Sequence, residues 1–317
     1  MATKKERQVF HLDLHLTSKA RGYKGLSPDS MRSVANYLKS YFDSSKAIYK
    51  RKSGNEIWYI SDCVVKPDYA CFLINLSDKM APDPSFTDPL NNHRRDVAKT
   101  TSEGDDRSAH FVVWFKQIPK KPHMYPALLE FCYGITTPKV AQLFNRLLRE
   151  FASSNRPSFE RNNPDGSNNK ILAWPFMEIH GHMCDSLKDE IDNGVLKGIE
   201  MYTETKAAQN WDKNAYTVIE HELIKVKPQP HKISGGAFAP LKAIVGEGHK
   251  RNFEKARVKF VNSEELARTV NIYTDNMAVV SDYKFIKKSK IGGFSSPLKA
   301  SYASIHDPIL QAMLKLS

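Results

Sequence analysis

"QVFHLDLHL", residues 8–16, alternates apolar and polar side chains with a period of two. Phe10, Leu12, Leu14 and Leu16 therefore share one face of an extended chain, and His11, Asp13 and His15 share the other. This is the pattern of a strand, and it recurs outward at "EIWYIS" (56–61), "YACFLINL" (69–76) and "HFVVWFKQ" (110–117), each bounded by Gly, Pro, Asp or Asn clusters. Two helices are predicted among these strands. In "SPDSMRSVANYLKSYF", Ser27 is expected as N-cap and Pro28 at the first helical position. In "TTPKVAQLFNRLLREF", Thr137 is expected as N-cap, Pro138 opens the first turn, and Val140, Leu143, Phe144, Leu147, Leu148 and Phe151 form one apolar stripe. The connection at 77–109 is long and charged.

The stretch "SSNRPSFERNNPDGSNN" (153–169) is nearly free of apolar residues and rich in Asn, Ser and Pro, so it cannot build a core. The expected organisation is an N-terminal α+β domain over 1–152, a polar linker over 153–169 and a β-rich C-terminal domain with a basic surface over 170–317. Within the last, strands are predicted at 171–182, 195–205, 215–227 and 256–261, a short helix at 263–269 ("SEELART") and extended segments at 270–287. The fold class is α+β, with mostly antiparallel sheets and a few amphipathic helices. No internal repeat of 20–50 residues is visible.

The 317 residues, 41% of them hydrophobic, suffice for a real core, and the formal charge of +12 favours an anionic partner. That charge is unevenly placed. Residues 1–152 hold 24 Lys/Arg against 16 Asp/Glu, residues 153–222 hold 7 against 12, and residues 223–317 hold 16 against 7. Cys63, Cys71, Cys132 and Cys184 lie far apart, without a C-x-x-C pair, and read as reduced thiols packed in a core. The start "MATKKERQVF" lacks a secretory h-region, and no apolar run approaches the ~20 residues of a membrane span. A cytoplasmic protein without membrane insertion is expected.

"EIHGHM" places Glu178, His180 and His182 at i, i+2 and i+4, on one face of a strand, as metal ligands could be. His11, Asp13 and His15 repeat the pattern. A metal-dependent nuclease built on these strands is one alternative; the plainer reading is half-buried strand histidines bonded to neighbouring backbone. "EGDDRS" (103–108) offers Glu103, Asp105 and Asp106, which read as solvated turn acids. "SGGAF" (234–238) and "KIGGFSS" (290–296) read as turns. No phosphate-binding loop, dinucleotide fingerprint or nucleophile arrangement is present, and no cofactor is implied.

The basic tracts carry the functional expectation. "KRNFEKARVKF" (250–260) holds Lys250, Arg251, Lys255, Arg257 and Lys259. Read as a strand, "ARVKFV" sends Arg257 and Lys259 to one face and Val258 and Phe260 to the other. "YKFIKKSK" adds Lys284, Lys287, Lys288 and Lys290, and "KVKPQPHK" adds Lys225, Lys227 and Lys232. Three such tracts predict an electrostatic track along a phosphate backbone, with no recognition helix or zinc finger to read sequence. Lys46, Lys50, Arg51 and Lys52 form a second basic group in the N-terminal half. Another alternative is an interaction protein whose basic surface meets an acidic partner.

The run "EIWYIS…YACFLINLSD", the connection containing "NNHRRDVAK", "EGDDRSAHFVV", "MYPALLEFCYGITTPKVAQLFNRLL", and the later "EIHGH" before "VLKGIEM" together resemble the RexA-like proteins of phage exclusion. A looser likeness reaches KwaB of the Kiwa defence system. The resemblance covers roughly residues 55–205. It implies a cytoplasmic α+β protein with one globular and one more mobile domain, a homodimer, and non-catalytic binding to duplex DNA with little sequence preference. It also implies a role in phage–bacterium conflict beside a membrane-protein effector encoded nearby. The residues after 223 lie outside it, so their contact with DNA rests on charge alone.

Overall fold

The computed structural model describes residues 4–20, 23–163, 169–203, 206–207, 218–219, 222–227, 229, 236–280 and 284–316. In chain order the elements are β1 (Glu6–Ala20), β2 (Tyr23–Leu26), α1 (Met31–Asp43), β3 (Ile48–Arg51), β4 (Glu56–Val65), β5 (Tyr69–Asp78), β6 (Ser85–Asp88), β7 (His93–Asp96), β8 (Asp105–Trp114) and β9 (Met124–Glu130). Then come α2 (Thr137–Ser154), α3 (Arg156–Phe159), β10 (Glu160–Asn162), β11 (Lys170–Gly181), α4 (Asp185–Asp192), β12 (Val195–Thr203), β13 (Lys206–Ala207) and β14 (Val218–Ile219). The remainder are β15 (Glu222–Val226), α5 (Phe238–Lys250), β16 (Lys255–Val261), β17 (Ala267–Tyr273), β18 (Lys288–Gly292) and α6 (Asp307–Leu314). The expected class is observed: α+β, with mostly antiparallel sheets. Among the described residues no helix is long and apolar enough to cross a membrane.

Two compact units are formed, one from Met1–Ile179 with Ser289–Ser317 and the other from His180–Lys288. This division differs from the expected one at the polar stretch 153–169. The described part of that stretch ends α2, forms α3 and pairs β10 with β11, so it belongs to the first unit. Phe159 is the reason: it is buried and packs edge-on against Tyr37 and Phe151.

The first unit is built on a ten-stranded sheet whose main path runs β10-β11-β1-β9-β8-β5-β4-β3, with β2 and β18 also paired to β1. Both faces of its centre are covered, which explains the uninterrupted apolar run of β5. On one face Phe144 of α2 lies 5.3 Å from the rings of Phe72 and Phe111. Val9, Cys71, Val112 and Leu128 point the opposite way, into a cluster with Ile291, Leu298, Ile309, Leu310 and Met313. Alternation within single strands thus feeds two cores.

A buried polar network ties the C-terminal segment to this sheet. Arg7 donates to Glu130 at 2.8 Å and to the Lys299 carbonyl at 2.6 Å. His110 Nδ1 lies 2.6 Å from the other Glu130 oxygen, and its Nε2 accepts the His306 backbone N–H at 2.9 Å. The His110 proton is therefore assigned to Nδ1. Desolvation pushes the Glu130 carboxyl up, but its bonds to His110 and the Arg7 charge outweigh that and hold it below the usual range.

Several local expectations are corrected. Ser30, not Ser27, caps α1, because its hydroxyl accepts the Ser33 N–H at 3.1 Å. Thr136 precedes α2 in place of Thr137. No helix forms at 263–269: the Asn262 side chain accepts the N–H groups of Glu264 and Leu266, folding a turn between β16 and β17. The 77–109 connection contains the exposed hairpin β6–β7. Asp106 is not a solvated turn acid. It accepts from Tyr59 and Asn75, each at 2.9 Å, and from Ser301. The four cysteines are free, and burial pushes the Cys63 thiol up to about 12.

Candidate nucleic-acid interface

The second unit holds a four-stranded antiparallel sheet in the order β15-β12-β16-β17. Its buried side faces α5, where Gly248 packs closely on β12: a Cβ there would run into the Met201 sulfur. β16 alternates throughout, with Ala256, Val258 and Phe260 buried and Lys255, Arg257 and Lys259 on the opposite, partly exposed side. The apolar residues anchor the strand, and the pleat then fixes where the cations go.

The registers assemble the open face in rows. Lys255 lies between Tyr202 and Tyr273; Arg257 lies between Glu200 and Asn271, with Lys225 beyond Glu200; Lys259 lies between Gly198 and Thr269. Glu200 is the hub. It receives Lys259 Nζ at 2.6 Å and Arg257 Nη1 at 3.1 Å, with Lys225 Nζ at 3.8 Å. The hydrogen bond from Lys259 leads the causes that hold its carboxyl below the usual range. Three cations share one anion, so the face stays cationic. Arg257 lies 5.6 Å from the Tyr202 ring centroid, and Lys255 lies 5.9 Å from that of Tyr273.

The other expected DNA contacts are placed elsewhere. Lys227 is exposed just after β15. Lys250 ends α5 and Arg251 caps it, both within 4 Å of Glu247. Lys284, Lys287 and Lys288 are exposed residues of the second unit, around buried Phe285 and Ile286. Lys290 belongs to the first unit and pairs with Glu6 at 2.8 Å. Lys232 lies outside the described residues.

The metal candidates are not gathered. Glu178, in the first unit, lies 3.8 Å from His15. In the second unit His180 stacks on Tyr273 at 3.7 Å and its Nδ1 accepts from the Asn276 amide nitrogen at 3.1 Å, while the His182 carbonyl accepts from the Lys287 N–H. His11 meets Ser289 at 2.7 Å, and Asp13 faces Lys121 at 3.8 Å. Among the described residues no group of three or more His, Cys, Asp or Glu is placed to hold a metal ion.

Sequence reasoning missed Glu200, Tyr202 and Tyr273. The alternation of "GIEMYT" does put Glu200 and Tyr202 on one face, but only the strand pairing brings them beside Arg257. The fold and this face together define an α+β protein with a cationic, tyrosine-bearing sheet surface. No protein-family model matches the chain, and neither does a curated protein or a solved structure.

Proposed function

We propose that the open face of the β15-β12-β16-β17 sheet binds nucleic acid, duplex DNA first, through its phosphate backbone and with little regard to sequence. The observation that carries this reading is the row of Lys255, Arg257 and Lys259 along one side of β16, joined across the sheet by Lys225. Such a row matches a line of phosphates, and among the described residues no helix lies on this face of the sheet to read bases. The protein acts as a binder, not an enzyme. Its homodimeric state, its part in phage–bacterium conflict and its membrane-protein effector rest on the RexA-like resemblance.

The test is an anisotropy titration with random duplexes over a range of salt, in EDTA and then with Mg2+ or Mn2+. With four to five phosphates engaged, log K against log salt should fall with a slope of about −4. Metal-dependent cleavage would favour the nuclease reading instead. Absence of binding at low salt would favour an acidic protein partner. A single strand bound tighter than the duplex would shift the assignment to base stacking on Tyr202.

A further inference from the structure

The turn between β3 and β4, in the first unit, has an unusual backbone. Lys52, Ser53 and Gly54 carry φ angles of 47°, 56° and 89°, and right-handed Asn55 follows. Left-handed backbone is costly for Lys52 and Ser53, and such outliers persist where surrounding structure holds them. At Gly54 a Cβ would meet open space, so glycine is favoured there by its φ and not by crowding. Within the turn the Asn55 N–H donates to the Lys52 carbonyl at 3.1 Å, which closes the corner.

That turn borders a cavity of about 540 Å3 whose lining includes Lys50, Arg51, Lys52, Ser53, Asn55 and Lys79. Four of the lining residues are cationic and none is acidic. The nearest countercharge stands behind the wall. Glu56 is buried, takes Lys52 at 2.8 Å and Arg51 at 3.3 Å, and is further fixed by Trp58 Nε1 at 2.6 Å. Asp78, the other acid near Lys52, accepts the Met80 N–H. Lys50 and Lys79 enter no ion pair with either acid, so the cavity retains a cationic excess.

We propose that this cavity binds a pyrophosphate-type polyanion, free or as the phosphate chain of a nucleotide. Four cationic residues line one concavity with no acid among them, which suits the clustered charge of linked phosphates. Lys50, Lys52 and Lys79 supply charge, and Arg51 adds a planar set of donors. This site lies in a different unit from the sheet proposed to bind DNA, and neither proposal depends on the other.

The test is calorimetric titration of the full chain, without divalent cations, using inorganic orthophosphate, inorganic pyrophosphate and ATP. Pyrophosphate should bind at least tenfold tighter than orthophosphate. The Lys50→Ala/Lys79→Ala variant should lose at least tenfold in pyrophosphate affinity while keeping the parental melting temperature. Arg257→Glu/Lys259→Glu should leave it unchanged. ATP tighter than pyrophosphate assigns the site to a nucleotide, and ATP equal to or weaker than pyrophosphate assigns it to the phosphate chain alone. Equal pyrophosphate affinity in parent and Lys50/Lys79 variant, or a loss confined to the Arg257/Lys259 variant, overturns the proposal.

Discussion

Glu200 decides how much of the cationic face is open to a ligand. It is largely buried between Arg257 and Lys259, and both must leave it, wholly or in part, to reach a phosphate. Glu200→Gln keeps the shape and some hydrogen bonding while deleting the charge. Because the Gln carbonyl still accepts from Arg257 and Lys259, which are themselves half-exposed, the variant should stay near parental stability. Duplex affinity should rise about fivefold, ~1 kcal/mol, since two cations no longer divide their attraction. An anisotropy titration beside a thermal melt checks both. Affinity that falls on removal of this carboxylate would mean that Glu200 orients the cations more than it competes for them.

At the scale of the strand, β16 separates fold from function by face. Phe260→Ala empties a fully buried site and should cost about 3–5 kcal/mol in chemical denaturation, with binding lost only as far as the protein unfolds. Arg257→Glu/Lys259→Glu places charge repulsion on the open side. It should abolish duplex binding at moderate salt and also lower stability, because it sets two carboxylates beside Glu200; Arg257→Gln/Lys259→Gln, which removes the charge without that repulsion, should weaken binding with a smaller stability loss. A charge-reversed protein that binds like its parent would move the DNA surface away from this sheet. The two-faced character of β16 was legible in "ARVKFV" because period-two alternation is a local property. The helix expected at 263–269 was not formed, since Glu265 turns left-handed at φ 62° and the Asn262 N–H donates to the Leu266 carbonyl across the turn. α5 escaped notice because Gly246 and Gly248 weaken its helical signal, and the second glycine is explained only by its contact with Met201. The Glu200 hub was hidden for a related reason: cross-strand neighbours are set by register, which a single strand's sequence does not contain.

For the whole molecule, the network of Arg7, Glu130, His110 and His306 makes the seating of the C-terminal segment depend on pH. Desolvation and the neighbouring His110 hold the His306 imidazole below its ordinary value of 6.5. Glu130 is held below its ordinary 4.5. Both folded-state values are depressed, so in each case the unfolded chain binds the proton more readily. The stabilisation is full above the unfolded value and is lost as pH falls through the folded one. Urea denaturation should therefore show stability declining first below about pH 6.5 and again below about 4.5. Amide exchange at 298–310 should quicken over the first interval. His306→Asn, which removes the titrating imidazole at the N-cap of α6, should remove the earlier decline. A pH-independent midpoint between 7 and 5 would disconnect His306 from the docking of this segment.

The same segment sets an order of events on the ribosome. Val9, Cys71, Val112 and Leu128 are made early, but the residues of their cluster that cover them, from Ile291 to Met313, are translated only after all of His180–Lys288 has been made. Until then the nascent first unit presents an apolar sheet face with no cover from its own chain, a surface for chaperone capture or for mispairing between neighbouring nascent chains. A chain stalled after Lys288 carries every strand of the four-stranded sheet and still lacks the residues that close this core.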